Sequence, residues 1–133
     1  MTGVQTCALP ILLTAVGNDV GFRDIFVRQV IAHAHAGDAI IGVSTSGNSE
    51  NVLAGFATAK RIGLTTIALV GSQGGTMAQS AEVDHCLIVA SDSIHRIQEC
   101  HVAIYHILWD LVHTLLAGSR GSAGTSRTEK VER

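Results

Sequence analysis

The chain has 133 residues, 47% of them hydrophobic and 15% charged, so it can bury one ordinary core and is not expected to be disordered. Its formal net charge is -2 and it has no run of Lys or Arg, which argues against the basic surface that nucleic-acid binding requires. No hydrophobic run approaches the roughly 20 residues needed to cross a bilayer, so we expect no membrane span.

The N-terminal segment, residues 1–11, contains the string TGVQTCALPI, which looks like the translation of a sequencing adaptor. It lacks the basic region and the small-residue cleavage site of a secretory signal, so we predict no export. We expect residues 1–11 to be non-native and the true reading frame to begin upstream.

Residues 21–36 carry apolar side chains at helical spacing and predict a helix. From Gly37 onward, short apolar runs alternate with longer amphipathic ones, which is typical of βα units on a parallel sheet. The short runs are too continuously apolar to be amphipathic helices. The predicted strands are residues 39–43, 65–70 and 85–89, and the predicted helices between them are residues 49–62, ended by Gly63, and residues 76–81.

Residues 94–116 form the longest periodic segment, and apolar residues cover more than one of its faces, which predicts a largely buried helix. After Ala117 the chain is rich in Gly, Ser, Thr and charged residues. Such a segment cannot offset its ordering entropy by burial, so we predict a disordered tail over residues 118–133. The folded domain is therefore expected to span residues 12–117.

The three cysteines, Cys7, Cys86 and Cys100, occur without CxxC spacing. Cys86 and Cys100 lie in apolar segments, where cysteine behaves as a small hydrophobic residue. Because disulfides form mainly in oxidising compartments, we expect reduced thiols and a cytoplasmic protein.

The strongest candidate site is the loop of residues 44–49, which joins a predicted strand to the start of a predicted helix. A helix N-terminus offers backbone N–H groups without partners and the positive end of a dipole, and both favour phosphate. The hydroxyls of this loop would add donors, and its Gly47 permits close approach. An ordinary N-cap that serves stability alone is the alternative. The position at the carboxyl end of a strand favours phosphate. The hydroxyl residues are Ser44, Thr45, Ser46 and Ser49.

A second polar loop, residues 71–75 with the sequence GSQGG, follows the next predicted strand. Glycines after a strand are explained most simply by a turn. Contact between this loop and a ligand stays open.

Polar residues interrupt the apolar helix predicted over residues 94–116, and such groups need partners when they are buried. Gln98 and His106 lie about 80° apart around the axis at ~100° per residue, so both can border one cavity. Histidine is well suited to proton transfer near neutral pH. His101 and His113 are more simply interpreted as helix surface or as core histidines with satisfied hydrogen bonds. Asp19 alone is merely a turn or cap residue.

Together these motifs resemble the sugar isomerase (SIS) family, and within it the sedoheptulose-7-phosphate isomerases, over roughly residues 12–116. The STSGNS loop is shared across phosphosugar-binding SIS domains, whereas the RIQE helix with its later histidine is much more specific. The matching stretches are VGNDVGFRDIF at 16–26, GD at 37–38, VSTSGNS at 43–49, GG at 74–75 and RIQE at 96–99, followed by His101 and His106.

The resemblance implies a three-layer αβα sandwich with a parallel, Rossmann-like sheet, in a homotetramer with active sites built between subunits. It implies aldose–ketose isomerisation of sedoheptulose 7-phosphate to D-glycero-D-manno-heptose 7-phosphate. That product feeds lipopolysaccharide-core or related heptose synthesis. No nucleotide cofactor is implied.

The resemblance also implies roles for individual residues. In family members that bind zinc, the positions matching Gln98 and His106 are ligands. The phosphate-holding residues would be Ser44, Ser46 and Ser49, the sugar-facing residues Thr45, Asp19 and Gln98, and the catalytic acid/base His106.

One departure from the family is the absence of its other catalytic group, a glutamate on an upstream helix that follows a CGNGGS-like phosphate loop. We expect these elements to be lost by truncation, because the chain joins the family pattern only near Leu12. Loss of one of two proton-transfer residues costs about 10²- to 10⁴-fold in rate. We therefore expect the chain alone to be inactive or nearly so.

Two other functions stay open. The first is a non-catalytic SIS protein that associates with the bacterial replication initiator. That relative has asparagine at the position of His106 and arginine at the position of Ser46, so both residues favour the enzyme. The second is a sensor domain of a transcription regulator or a module of a glucosamine-6-phosphate enzyme. No DNA-binding helix pair or amidotransferase segment accompanies this domain.

Overall fold

A computed structural model describes residues 3–125 of the chain, and the side chains of residues 11–118. The described chain divides after Gln98 into two units. Helices and strands alternate along it, as the sequence predicts. They are α1 (Gly3–Asp19), α2 (Ile25–His33), β1 (Ala39–Ser44), α3 (Glu50–Ile62), β2 (Thr65–Gly71), β3 (His85–Val89) and α4 (Ile94–Thr125), with 3-10 turns at Phe22–Asp24 and Thr76–Gln79.

The predicted strands are confirmed to within one residue at each end. The helix predicted over residues 21–36 is shorter, because it begins as a 3-10 turn and ends at His33. The helix predicted over residues 76–81 is the 3-10 turn Thr76–Gln79.

The three strands form a parallel sheet in the order β1-β2-β3. Because β2 has a neighbour on each side, its Ala68, Leu69 and Val70 are fully buried. In the register of the sheet, Ser44 at the end of β1 pairs with Val70 near the end of β2. The loops that leave these two strands therefore start at the same edge of the sheet.

The helix α3 covers the sheet through Phe56, which is 1% exposed and packs with Ala68, Val70 and Met77. Gly42 on β1 makes this packing possible, since a Cβ there would lie 2.5 Å from the Phe56 ring. The helix ends as predicted at Gly63, which adopts a left-handed φ of 95°.

Helix α4 was predicted to be largely buried, and the structure shows that this prediction is wrong. Its Ile97 and His101 are buried, but most of its large apolar residues are exposed in the single chain. The apolar residues surround the helix, so covering one face leaves the others in contact with solvent. The exposed ones are Ile94, Val102, Tyr105, Ile107, Trp109, Leu111, Val112, Leu115 and Leu116.

The stretch Ile94–Gly118 of α4 is, among the described residues, long and apolar enough to cross a membrane by length and composition alone. The expectation that no apolar run approaches this length is therefore wrong. Core helices of soluble proteins pass the same criterion, so the finding is weak evidence for a membrane span.

The domain limits predicted from composition are tested only in part. Helix α4 continues to Thr125, beyond Ala117 where we expected the helical pattern to stop, and the predicted tail residues 126–133 lie outside the described part. Helix α1 begins at Gly3, within the segment predicted to be non-native. Whether residues 1–11 are native stays a prediction.

Two described cysteines, Cys86 and Cys100, are free thiols. Cys86 packs against the core cluster around Phe56, and burial raises the pKa of its thiol. This agrees with the prediction of a small hydrophobic residue, whereas Cys100 is exposed. The side chain of Cys7 lies outside the described part.

A carboxylate, Asp84, ties the start of β3 to β2 and α3. Lys60 on α3 donates to its Oδ1, and the backbone N–H of Thr66 donates to its Oδ2 at 2.9 Å. The hydrogen bond from Lys60, together with those from Thr66, lowers the pKa of Asp84 from 3.8 to about 2.

This lowered pKa predicts a pH dependence of folding stability. Because the folded pKa lies below the unfolded one, the contribution of Asp84 is complete above pH ~4 and is lost as the pH falls through the folded value of about 2. Urea unfolding between pH 6 and pH 2 should show a steeper loss of stability in the native chain than in Asp84→Asn. The exposed Asp92→Asn serves as the control, and equal slopes for Asp84→Asn and the native chain would contradict the assignment.

Candidate functional site

The loop of residues 44–49 makes a tight turn between β1 and α3. Gly47 has a left-handed φ of 69°, and its N–H donates to the carbonyl of Ser44 at 3.3 Å and to the Ser44 hydroxyl at 3.1 Å. The N–H of Asn48 donates to the Ser46 hydroxyl at 3.2 Å. Both serine oxygens act as acceptors within the turn, so the loop shape depends on them.

Ser49 is the N-cap residue of α3, yet its side chain makes no capping hydrogen bond. Its hydroxyl instead lies 2.9 Å from the hydroxyl of Ser44. An ordinary cap would satisfy an N–H of the first helical turn. The simple capping interpretation of Ser49 is therefore wrong. The N–H of Val52 donates to the Ser49 carbonyl and to Asn51 Oδ1, whereas the N–H groups of Glu50 and Asn51, the first two of α3, have no partner among the described residues and are available to a ligand.

The hydroxyls differ in their access to solvent. Ser44 is 5% exposed, Thr45 and Ser49 are half-buried, and Ser46 is exposed. Either hydroxyl of the Ser44–Ser49 pair can donate to the other, so one proton of the pair stays free for an external acceptor. The Ser46 hydroxyl accepts from Asn48 and keeps its own proton for the same purpose.

The second loop, residues 71–75, and the turn Thr76–Gln79 after it contact the first loop through hydrogen bonds and backbone packing. The N–H of Met77 donates to the Gly47 carbonyl at 3.0 Å. The backbone N–H and the hydroxyl of Thr76 both donate to Asn48 Oδ1, at 2.8 and 2.9 Å. The roles of Asn48 and Thr76 were not predicted, and the signals in the sequence were the glycines of residues 71–75 and their place after a strand.

The glycines of the two loops allow their backbones to touch. A Cβ on Gly47 would overlap the carbonyl of Gly74, and a Cβ on Gly75 would lie 2.7 Å from Asn48 Oδ1. Position 47 therefore requires glycine because the neighbouring loop lies against it. The sequence had suggested a different reason, the close approach of a ligand.

The start of α4 lies beside the same edge of the sheet. A Cβ on Gly71 would lie 2.6 Å from side-chain atoms of Ile97 and 2.5 Å from the carbonyl of Thr45. The next residue of α4, Gln98, is exposed. Its place on α4 is compatible with the predicted contact with a sugar, which stays a prediction.

The remaining predicted site residues lie on other elements, Asp19 on α1 and His106 on α4. Asp19 is exposed at the end of α1, and His106 is exposed on α4 with its ring 4.3 Å from that of Tyr105. The structure thus brings the loop serines together. In the described part of the chain, no hydrogen bond joins Asp19 or Gln98 to that loop.

The two other histidines of α4 differ in their surroundings. His113 lies on the surface, with its ring 4.5 Å from Trp109, as predicted. His101 is 3% exposed, and both of its ring nitrogens lack a hydrogen-bond partner among the described residues. The interpretation of His101 as a satisfied core histidine is therefore wrong within the described part.

Zinc needs more ligands than the predicted pair provides. A tetrahedral zinc site takes four ligands, three of them from the protein where the ion is catalytic. Across the described residues, no group of three or more His, Cys, Asp or Glu is placed to hold a metal. Zinc ligation by Gln98 and His106 stays a prediction of the resemblance.

An apolar cavity of about 400 Å³ lies between α2, β1 and α3, lined by residues such as Val30, Ile40 and Phe56. None of the predicted site residues lines it. The candidate site is therefore the loop surface at the carboxyl end of the sheet.

Comparison with known proteins identifies the family of this chain. The SIS domain family model matches residues 5–71, about half of the chain, from within the segment predicted to be non-native to the end of β2. A phosphoheptose isomerase of Sulfurimonas denitrificans is 50% identical over 106 residues, which are 80% of this chain and 53% of that protein. A phosphoheptose isomerase of Aquifex aeolicus is 50% identical over 105 residues, 79% of this chain and 54% of that protein. The chain thus spans about half the length of these curated relatives.

Two solved structures share the fold. The phosphoheptose isomerase of Neisseria gonorrhoeae has a TM-score of 0.74 at 40% identity, over 77% of this chain and 57% of that one. That of Francisella tularensis has a TM-score of 0.71 at 37% identity, over 84% of this chain and 56% of that one. The predicted SIS-type α/β fold is confirmed. Because the family match covers β1, α3, β2 and the loop between β1 and α3, the chain belongs to the SIS domain family.

Proposed function

We propose that this chain is the phosphosugar-binding part of a sedoheptulose-7-phosphate isomerase. The observation that carries the proposal is the start of α3, where the N-cap serine pairs with Ser44 and the N–H groups of Glu50 and Asn51 have no partner among the described residues. Relatives named phosphoheptose isomerase support the reaction class. None of these relatives supports the alternative of a protein that associates with the replication initiator.

The loop would hold the phosphate through neutral donors. Hydroxyl protons of Ser46 and of the Ser44–Ser49 pair would join the backbone N–H groups at the start of α3. The helix dipole adds a favourable field at this point. The overall charge of -2 is therefore no obstacle to binding an anion.

The reaction moves a proton between two neighbouring carbons of the sugar through an enediol-like intermediate, and so needs two groups that exchange protons. His106 would be one of them, because imidazole gains and loses a proton near neutral pH. Thr45, Asp19 and Gln98 would face the sugar. The conversion would supply D-glycero-D-manno-heptose 7-phosphate for lipopolysaccharide-related synthesis.

Assembly into a homotetramer is part of this proposal. The support is α4, whose exposed Val102, Tyr105, Trp109, Val112 and Leu116 recur at spacings of three and four residues. Such an apolar stripe is typical of helices that pack against other helices. It accounts for the apolar character of α4 without a membrane.

Location and cofactor complete the proposal. Free Cys86 and Cys100 support a reducing, cytoplasmic environment. Gln98 and His106 would supply two ligands if the protein is one of the zinc-binding members, and the ion would then polarise a sugar oxygen.

Calorimetry with sedoheptulose 7-phosphate tests the assignment of the phosphate loop. The double variant Ser44→Ala, Ser46→Ala should bind roughly 10- to 50-fold more weakly, because hydrogen bonds to a charged group are worth about 1.5–3 kcal/mol before the loop readjusts. The native chain should release heat on binding.

The chain offers a matched control for this experiment. Ser80 and Ser91 each accept a hydrogen bond of 3.2 Å from the N–H two residues further on, the same local bond that Ser46 makes. The double variant Ser80→Ala, Ser91→Ala should bind like the native chain. Equal binding by both double variants would leave the loop with a structural role alone.

A further inference from the structure

The side chain of Asn48 joins the phosphate loop to a second segment of the chain, beside the backbone bond from Met77 to Gly47. Asn48 Oδ1 accepts two hydrogen bonds from Thr76, one from its backbone N–H at 2.8 Å and one from its hydroxyl at 2.9 Å. Both residues are exposed, so water would compete for these groups if the loops separated. Asn48 Oδ1 can therefore accept both hydrogen bonds from Thr76 only while the two segments keep their present positions.

The segment that carries Thr76 is itself firmly held. Met77 is fully buried in the core cluster with Phe56 and donates its N–H to the Gly47 carbonyl at 3.0 Å. The neighbouring Met77 therefore anchors the backbone of Thr76 in the core. In the loop of residues 44–49, Ser44 and Gly47 are buried, whereas Ser46 and Asn48 are exposed and are not held by packing.

We propose that Asn48 and Thr76 form a clamp that positions the phosphate loop, so that both act as positioning residues for phosphosugar binding without contacting the phosphate. The inference rests on the proposed function. Asn48 lies between Ser46 and Ser49, whose hydroxyls must point at one phosphate. A loop that turns at Asn48 would misdirect both of them, because hydrogen bonds weaken steeply with angle.

The test uses a graded series of variants in the full chain, with inorganic phosphate and sedoheptulose 7-phosphate as the probes in calorimetry. Asn48→Ala removes both bonds and should raise the Kd for either probe about 10-fold. Thr76→Val removes the hydroxyl bond alone and should raise it about 3-fold to 5-fold. Thr76→Ser keeps a hydroxyl and should bind like the native chain.

Thr65→Val is the matched control, because the hydroxyl of Thr65 is exposed and makes no hydrogen bond to the described residues. Amide hydrogen exchange supplies a readout that needs no ligand. In Asn48→Ala and Thr76→Val, the amides of residues 45–49 should exchange faster while those of β2 keep their protection. If Asn48 and Thr76 only stabilise the fold, the amides of residues 45–49 and those of β2 should lose protection together.

The outcomes separate this inference from the proposed function. If the native chain binds the sugar phosphate and the clamp variants bind it equally well, the inference is overturned and the function stands. If the native chain binds neither probe, the function is overturned and the positioning role falls with it. Unchanged exchange of residues 45–49 in Asn48→Ala would show separately that the clamp does not hold the loop.

Discussion

Replacing Gly47 with alanine is expected to weaken the binding of sedoheptulose 7-phosphate by at least about 100-fold. The backbone there has a left-handed φ of 69°, which costs an alanine about 1–2 kcal/mol. The new methyl group would also overlap the carbonyl of Gly74. The two loops must then separate, and the bonds from Met77 to Gly47 and from Thr76 to Asn48 are lost, at about 1 kcal/mol each.

Gly37→Ala separates the effect of the clash from that of backbone strain. Gly37 also has a left-handed φ, of 91°, but a Cβ there meets nothing within 4 Å. This control should lose some thermal stability and keep its affinity for the sugar phosphate. Calorimetry and thermal unfolding of the two variants provide the comparison, and equal affinities would mean that the contact between the loops has no part in binding.

Replacing His106 with alanine is expected to lower the turnover of sedoheptulose 7-phosphate by about 10²- to 10⁴-fold, the usual contribution of one general acid/base. Substrate affinity should change little, because the segment proposed to hold the phosphate is a different one. The measurement is steady-state isomerisation by a protein of the relatives' length that contains this sequence. A fall in kcat with a nearly constant KM identifies a group that acts in the transition state.

His113→Ala is the matched control for His106→Ala. Both histidines are exposed on α4 and both contact an aromatic ring, Trp109 for His113 and Tyr105 for His106. Loss of an aromatic contact alone would therefore affect the two variants alike. Unaltered turnover in His106→Ala would refute the role assigned to it.

Much of the fold could be predicted because its signals are local. A continuously apolar run such as residues 65–70 predicts a buried strand in any parallel sheet, and Gly63 predicts the end of a helix because few other residues adopt a left-handed φ. The loop of residues 44–49 was recognised in the same way, from its position after a strand and before a helix. These features depend on neighbours within a few residues along the chain.

The burial of α4 could not be predicted, because an apolar residue does not specify which surface covers it. Ile107 and Leu115 look like core residues in the sequence, yet they are 58% and 72% exposed in the single chain. The opposite holds for His101, a polar residue that is 3% exposed. Both errors arise where burial is decided by contacts distant along the chain.

The sequence by itself determined the SIS-type parallel α/β fold, and it located the candidate phosphate loop and the residues proposed to act on a sugar phosphate. The tertiary structure alone decided how that loop is built: the Ser49 hydroxyl pairs with that of Ser44 and makes no capping bond to the helix, and Asn48 accepts hydrogen bonds from Thr76 of the next segment. The physical reason is the parallel register of β1 and β2, which brings together two loops that are more than twenty residues apart along the chain.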